Sequence, residues 1–318
     1  MHPKTIALTT LLTLLISTPR LQAKPIAKPI PITLQSSNTR ESFQPKDRTK
    51  SQKPYSDKDR IIIGTDDRTP ILTRAYPWSA IGRIEISTAT EGYTCTGTLI
   101  GLDIVLTNAH CLMDEQTKQP MIPKNASPDN PAQIKFSPSM IRGTALDTAR
   151  VIDYRYGTKD PYTNPGDDWA ILKLDQPLGA RYGYLGWRNL NFANPKIRQA
   201  TRDRLTLVGY ARDFPTARNT EYGTGGETAG MNQTCSIEGL VAQKGLKGVL
   251  LHRCDSNPGT SGGPIFAQFS NGNYYIVGLH SGSVDLNQWQ MLSNGDISKT
   301  VNRGVAVSQW GTAAFYMK

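Results

Sequence analysis

From residue 61 onward the chain is a succession of short apolar runs separated by turn residues. Ile81-Gly82-Arg83-Ile84-Glu85-Ile86 alternates with a period of two, the spacing that turns one face of a strand toward a core. Further strands are expected over residues 95–100, 104–107, 169–174, 205–210, 249–254, 264–268, 274–279 and 304–307, each bounded by Gly, Pro or Asn. Many short strands with frequent turns predict an all-β sandwich or pair of barrels. A short C-terminal helix is expected over residues 308–315, with Ser308 as its N-cap. Residues 178–200 read as the crossover between two halves, and no internal repeat is present.

The first 60 residues have another texture. Lys4, the apolar run from Ile6 to Ile16 and Leu21-Gln22-Ala23 predict a cleaved signal peptide over residues 1–23, too short and Thr-rich to span a bilayer comfortably. Residues 24–60 are rich in Lys, Pro, Ser and Gln, with few large apolar side chains. Such a stretch buries too little surface of its own to offset ordering entropy, so a disordered propeptide or linker is expected there.

Composition changes this picture little. The formal net charge is +10, but residues 1–60 carry 11 Lys and Arg against 4 Asp and Glu, so most of the excess lies in the tail. There is no basic helix and no basic–aromatic alternation, which argues against nucleic acid as a partner. The hydrophobic share of 38% is enough for a buried core. The four cysteines fall into two local pairs, Cys95/Cys111 and Cys235/Cys254, and predict two disulfides in an exported chain. No Cys/His cluster has zinc spacing, so no metal and no cofactor is expected.

Three short boxes carry chemistry. In Gly259-Thr260-Ser261-Gly262-Gly263-Pro264, glycines on both sides of a serine permit a tight turn that exposes its hydroxyl. The N–H groups of Gly259 and Ser261 are then candidates for holding an oxyanion. In Leu106-Thr107-Asn108-Ala109-His110-Cys111, a histidine follows a strand and is tied at once by a cysteine, as a general base requires. Asp168 precedes the apolar run Trp169-Ala170-Ile171-Leu172 directly, and it is preferred over Asp167 as the carboxylate that orients an imidazole.

The order His110, Asp168, Ser261, with the Thr-Asn-Ala-His-Cys and Gly-Thr-Ser-Gly-Gly-Pro boxes, resembles the chymotrypsin-like serine proteases. The resemblance implies two six-stranded antiparallel β-barrels with the site between them. The N-terminal barrel would span about 61–178 and the C-terminal one about 195–307 of a protease domain over 61–318. Ile63-Gly64-Thr65-Asp66-Asp67-Arg68-Thr69, Ala75-Tyr76-Pro77, Tyr182-Gly183-Tyr184-Leu185-Gly186, Cys254-Asp255-Ser256 and Asn302-Arg303-Gly304 look like the bacterial glutamyl endopeptidases. Gly263 departs from that group, which usually has Ser there. Thr260 departs from trypsin-like enzymes, which have an Asp pairing with the new N-terminus, so activation by that pairing is not expected. Processing between Arg60 and Ile61 is expected to release the mature enzyme from a zymogen.

For specificity, Gly278-Leu279-His280-Ser281-Gly282-Ser283 resembles the wall of the primary pocket. The match implies that His280, Ser256 and Ser283 bind a carboxylate side chain, with a protonated imidazole supplying the charge, and hence cleavage after Glu and more weakly Asp. Asp255 stands six residues before Ser261, where trypsin-like enzymes carry the Asp that selects Lys or Arg, and that specificity is the alternative. A further alternative is an inactive homologue that serves as a binding module. The expected partners are polypeptide substrates. The chain is expected to be a monomer, secreted or periplasmic, with no stable membrane insertion after signal cleavage.

Overall fold

The computed structural model describes residues 27–46, 62, 66–215, 220–241, 246–291 and 297–317. The expected signal peptide and the expected Arg60–Ile61 processing site therefore lie outside the described residues. In chain order the strands are β1 (Ser37–Arg40), β2 (Thr69–Pro70), β3 (Ile81–Ser87), β4 (Gly92–Leu99), β5 (Ile104–Thr107), β6 (Gln133–Pro138), β7 (Ala149–Tyr156) and β8 (Ala170–Leu174). Helix α1 (Leu178–Tyr182), β9 (Gly186–Asn189) and α2 (Pro195–Thr201) follow, so the crossover carries structure of its own. The chain ends with β10 (Leu205–Gly209), β11 (Gly230–Cys235), β12 (Ile237–Leu240), β13 (Val249–His252), β14 (Pro264–Gln268), β15 (Tyr274–Met291), β16 (Ile297–Ala306) and α3 (Val307–Phe315).

Strands β3-β4-β5-β8-β7-β6 close into a six-stranded antiparallel barrel. Its lumen is filled by the alternate residues that the period-two pattern picks out: Ile84 and Ile86 are fully buried, as are Leu106, Phe136 and Leu172. The second unit is a ten-stranded sheet in the order β12-β13-β16-β15-β14-β10-β11-β2, with β9 parallel to β15 and β1 paired to β9. It exceeds the six strands expected: β1, β2 and β9 join it from outside the expected span of the C-terminal barrel, and the other seven exceed the expectation by one. Disulfides join Cys95 to Cys111 and Cys235 to Cys254.

Two expectations are corrected. Ala306, not Ser308, occupies the cap position of α3, and no side chain caps it. β16 runs straight into the helix, which Val307, Trp310 and Ala314 anchor by burial. Residues 27–46, expected to be disordered, form an ordered arm on the second unit. Ile30 is fully buried and its N–H donates to Gln268 O (2.9 Å). β1 pairs with β9, and Arg188 donates to the carbonyls of Ile32 (3.2 Å) and Leu34 (2.9 Å). Trp187 Nε1 donates to Asn38 Oδ1 (3.1 Å). The Asn38 side chain lies against Gly311 of α3, where a Cβ would come within 2.7 Å of it. The composition argument fails here because the arm borrows a core from a surface made later in the chain.

Candidate active site

The register of the first barrel brings two of the boxes together. β5 and β8 are antiparallel with Thr107 opposite Ala170, so His110, just beyond one strand, meets Asp168, just before the other. Asp168 is fully buried. Its Oδ1 accepts the backbone N–H of His110 (2.9 Å) and its Oδ2 lies 2.7 Å from His110 Nδ1. Asn108 Nδ2 donates to the Asp168 carbonyl (2.6 Å), fixing the backbone that carries the carboxylate. Neighbouring Asp167 contributes its backbone to the turn, with its N–H donating to Asn164 O.

Ser261 arrives from the second unit. Its loop is folded by Thr260 N–H to Asn257 O (2.9 Å), Gly262 N–H to His280 O (3.0 Å) and Gly263 N–H to Thr260 O (2.8 Å). Thr96 of the first barrel grips it from across the interface: its N–H donates to Ser261 O (2.8 Å) and its hydroxyl to Gly259 O (2.8 Å). Gly259 (φ +103°) and Gly262 (φ +82°) sit in the backbone region that glycine favours. A Cβ would come within 2.4 Å of Tyr210 O at Gly259 and 2.2 Å of Thr96 O at Gly262. Among the described residues, the N–H groups of Gly259 and Ser261 make no backbone hydrogen bond. Ser261, Gly259, His110 and the Cys95–Cys111 disulfide line one cleft of about 570 Å³.

Beside the serine loop lies a buried pair of imidazoles. Cys254 N–H donates to His252 Nδ1 (3.2 Å), so the ring hydrogen of His252 is on Nε2. That Nε2–H faces His280 Nδ1 at 3.0 Å and the Arg303 carbonyl at 3.3 Å. His280 therefore accepts at Nδ1 and carries its hydrogen on Nε2. Burial pushes His252 down to about 3, outweighing its bond to the Arg303 carbonyl. Burial also pushes His280 well below its ordinary range, helped by the nearby His252, His110 and Arg303. In the empty site burial thus disfavours the protonated form expected of His280. His252, on β13, is the residue that the sequence reading passed over. The available signal was that it is one of only four histidines.

Of the other pocket candidates, Ser256 is buried and Ser283 half-buried, the latter opposite Asn302 in the β15–β16 register. Asn302 Nδ2 holds the Cys254 carbonyl (2.7 Å) at the start of the segment carrying Ser256. Asp255 has hydrogen-bond donors of its own. It is buried, with Oδ2 accepting from Asn232 Nδ2 and from Asp67 N–H (both 3.3 Å) and its own N–H donating to Asn232 Oδ1 (3.1 Å). These bonds tie it to Asn232 of β11 and to the segment that leads into the first barrel.

The neutral imidazole of His252 implies acid sensitivity. The unfolded chain binds a proton at His252 near pH 6.5 and the folded one only near 3, so stability falls as pH drops through that window. The loss from His252 is about 3 kcal/mol between pH 6.5 and 4. His252→Asn should flatten the slope of unfolding free energy against pH there, read by urea titration at each pH. Parallel slopes for variant and parent would remove the linkage.

The Trypsin family profile matches residues 62–291. The chain belongs to the trypsin family. This trypsin-family chain is 24% identical over 261 residues to Serine protease 23 of Mus musculus, covering 73% of this chain and 59% of that protein. It is 25% identical over 223 residues to the Extracellular metalloprotease of Bacillus subtilis (strain 168), covering 69% and 62%. It thus spans about three fifths of the length of these relatives. Its fold matches a Glu endopeptidase solved in complex with MPD, with a TM-score of 0.55 and 22% identity, covering 80% of this chain and 97% of that one. The protease Anisep from Arthrobacter nicotinovorans matches with a TM-score of 0.50 and 19% identity, covering 75% and 97%.

Proposed function

We propose that this chain is an exported serine endopeptidase that cleaves after Glu, and more slowly after Asp, through an acyl-enzyme. The observation that carries the reading is the His110 Nδ1–Asp168 Oδ2 hydrogen bond, set in the same cleft as Ser261. In this mechanism Ser261 Oγ attacks the scissile carbonyl while His110 Nε2 takes its proton. Asp168 holds the ring hydrogen on Nδ1 and stabilises the imidazolium. The N–H groups of Gly259 and Ser261 receive the oxyanion. His110 then returns the proton to the leaving amine, and water releases the acyl group by the same steps in reverse.

In the primary pocket, His280 Nε2–H donates to the substrate carboxylate together with the hydroxyls of Ser256 and Ser283. His252 fixes the tautomer of His280. Asp255 is engaged by Asn232 and Asp67, which favours this reading over cleavage after Lys or Arg. Two disulfides suit an oxidising compartment, and among the described residues no helix is long and apolar enough to cross a membrane. Processing at Arg60–Ile61 is part of the reading. Thr260 offers a hydroxyl, already accepting from Asn257 N–H (3.3 Å), where a carboxylate would be needed to bind the new amine.

A randomised peptide library treated with the processed protein tests the whole proposal. The expected result is cleavage after Glu, with labelling by an organofluorophosphonate at Ser261 alone. Preferential cleavage after Arg would overturn the specificity, and no labelling would overturn the enzyme.

A further inference from the structure

The pocket proposed above offers a carboxylate hydrogen bonds from one imidazole and two hydroxyls, and burial disfavours a charge on that imidazole. Arg303 stands beside it. On β16 it is directly opposite Gly282, between the His280–Gly304 and Ser283–Asn302 pairs of the β15–β16 register. Its carbonyl is tied to His252 Nε2. Its side chain crosses the bare backbone of Gly282, with Nε 3.7 Å from the point where a Cβ would stand. Its charge acts on His280 on one side and on Tyr162, a wall of the Ser261 cleft, on the other.

The guanidinium is half-buried and its Nε is buried without a hydrogen-bond partner. Among the described residues no carboxylate forms an ion pair with it, whereas Arg68, Arg83, Arg150 and Arg253 each have one. A partly desolvated cation left without a counter-ion raises the free energy of the empty site, and a carboxylate with fork geometry lowers it. We propose that Arg303 is the cationic specificity determinant of the cleft, drawing an acidic side chain in the half of the substrate that becomes the acyl group. The assignment rests on the endopeptidase reading above. It places the charge on a group whose protonation does not vary with pH, and leaves orientation to His280.

The test uses the processed protein and matched fluorogenic peptides that differ only as Glu or Gln, at the residue before the scissile bond and at the one preceding it. For Arg303→Gln, the Glu-over-Gln ratio of kcat/KM should fall at least about tenfold at one of these positions. Arg303→Lys should retain part of it. In the unaltered protein the same ratio should shrink as salt is raised from low concentration to roughly 1 M, because the guanidinium is only half-buried. That measurement needs no variant to fold. Ratios that neither substitution nor salt alters would overturn the assignment. Organofluorophosphonate titration counts folded sites in every sample. If the unaltered protein neither labels nor cleaves, the endopeptidase reading fails first, and this assignment with it.

Discussion

Ser261→Ala leaves a folded protein whose peptide hydrolysis is lower by about five to six orders of magnitude. The loop does not depend on the hydroxyl for its shape. Its fixed points are backbone groups of residue 261 and its neighbours: Ser261 O with Thr96 N–H, Gly262 N–H with His280 O, and Gly259 O with the Thr96 hydroxyl. An alanine keeps all of them, so stability should move by no more than about 0.5 kcal/mol. The His110–Asp168 bond also survives, since its groups come from the other barrel. What disappears is the atom that accepts the acyl group, and the remaining groups act as a unit with it. Single-turnover hydrolysis of a Glu peptide, compared with thermal unfolding of the same sample, reads both halves of this expectation. Near-normal turnover would remove Ser261 from the mechanism.

Arg68→Met is expected to destabilise the fold by roughly 3–5 kcal/mol. Arg68 is 2% exposed and sits between two carboxylates. Its Nε and Nη2 donate to Asp66 (both 3.0 Å), and its Nη1 and Nη2 to Asp213 (3.1 and 2.8 Å). The side chain also stacks over Phe214, with 5.0 Å to the ring centre. Methionine keeps most of the packing but strands the buried Asp66 without its cation. The damage reaches the site, because Asp213 also accepts from Asn257 Nδ2, two residues before Gly259. A urea titration should show a lower midpoint at unchanged slope. Asp66→Asn on the same background should restore part of the loss. A shift under about 1 kcal/mol for the single substitution would contradict the account.

The parts of this site that could be read from sequence are those where chemistry constrains neighbouring residues. Ser261 needs glycines beside it because a Cβ at Gly259 or Gly262 collides with backbone atoms of Tyr210 and Thr96. Those constraints leave a visible string. The barrel strands were legible where one face is wet, as in Ile81–Ser87, whose burial alternates over its second half. Partners set by tertiary register left no such string. His252 meets His280 only because β13 and β15 flank β16. Arg303 lies beside His280 and Ser283 only because the β15–β16 register sets it opposite Gly282. The charge state of His280 was likewise hidden, since it follows from burial beside a second imidazole.

The ordered arm has a consequence for the timing of folding. Ile32 N–H bonds to Ser270 Oγ, 238 positions later in the chain, and β1 needs β9, which lies beyond the whole first barrel. During synthesis residues 27–46 are made early, yet the sheet that receives them is among the last elements completed. The first barrel, whose contacts are local by comparison, can close while the arm is still undocked. Docking of the arm therefore has to wait for the second unit, and its contacts of long sequence separation carry a large loop-closure cost.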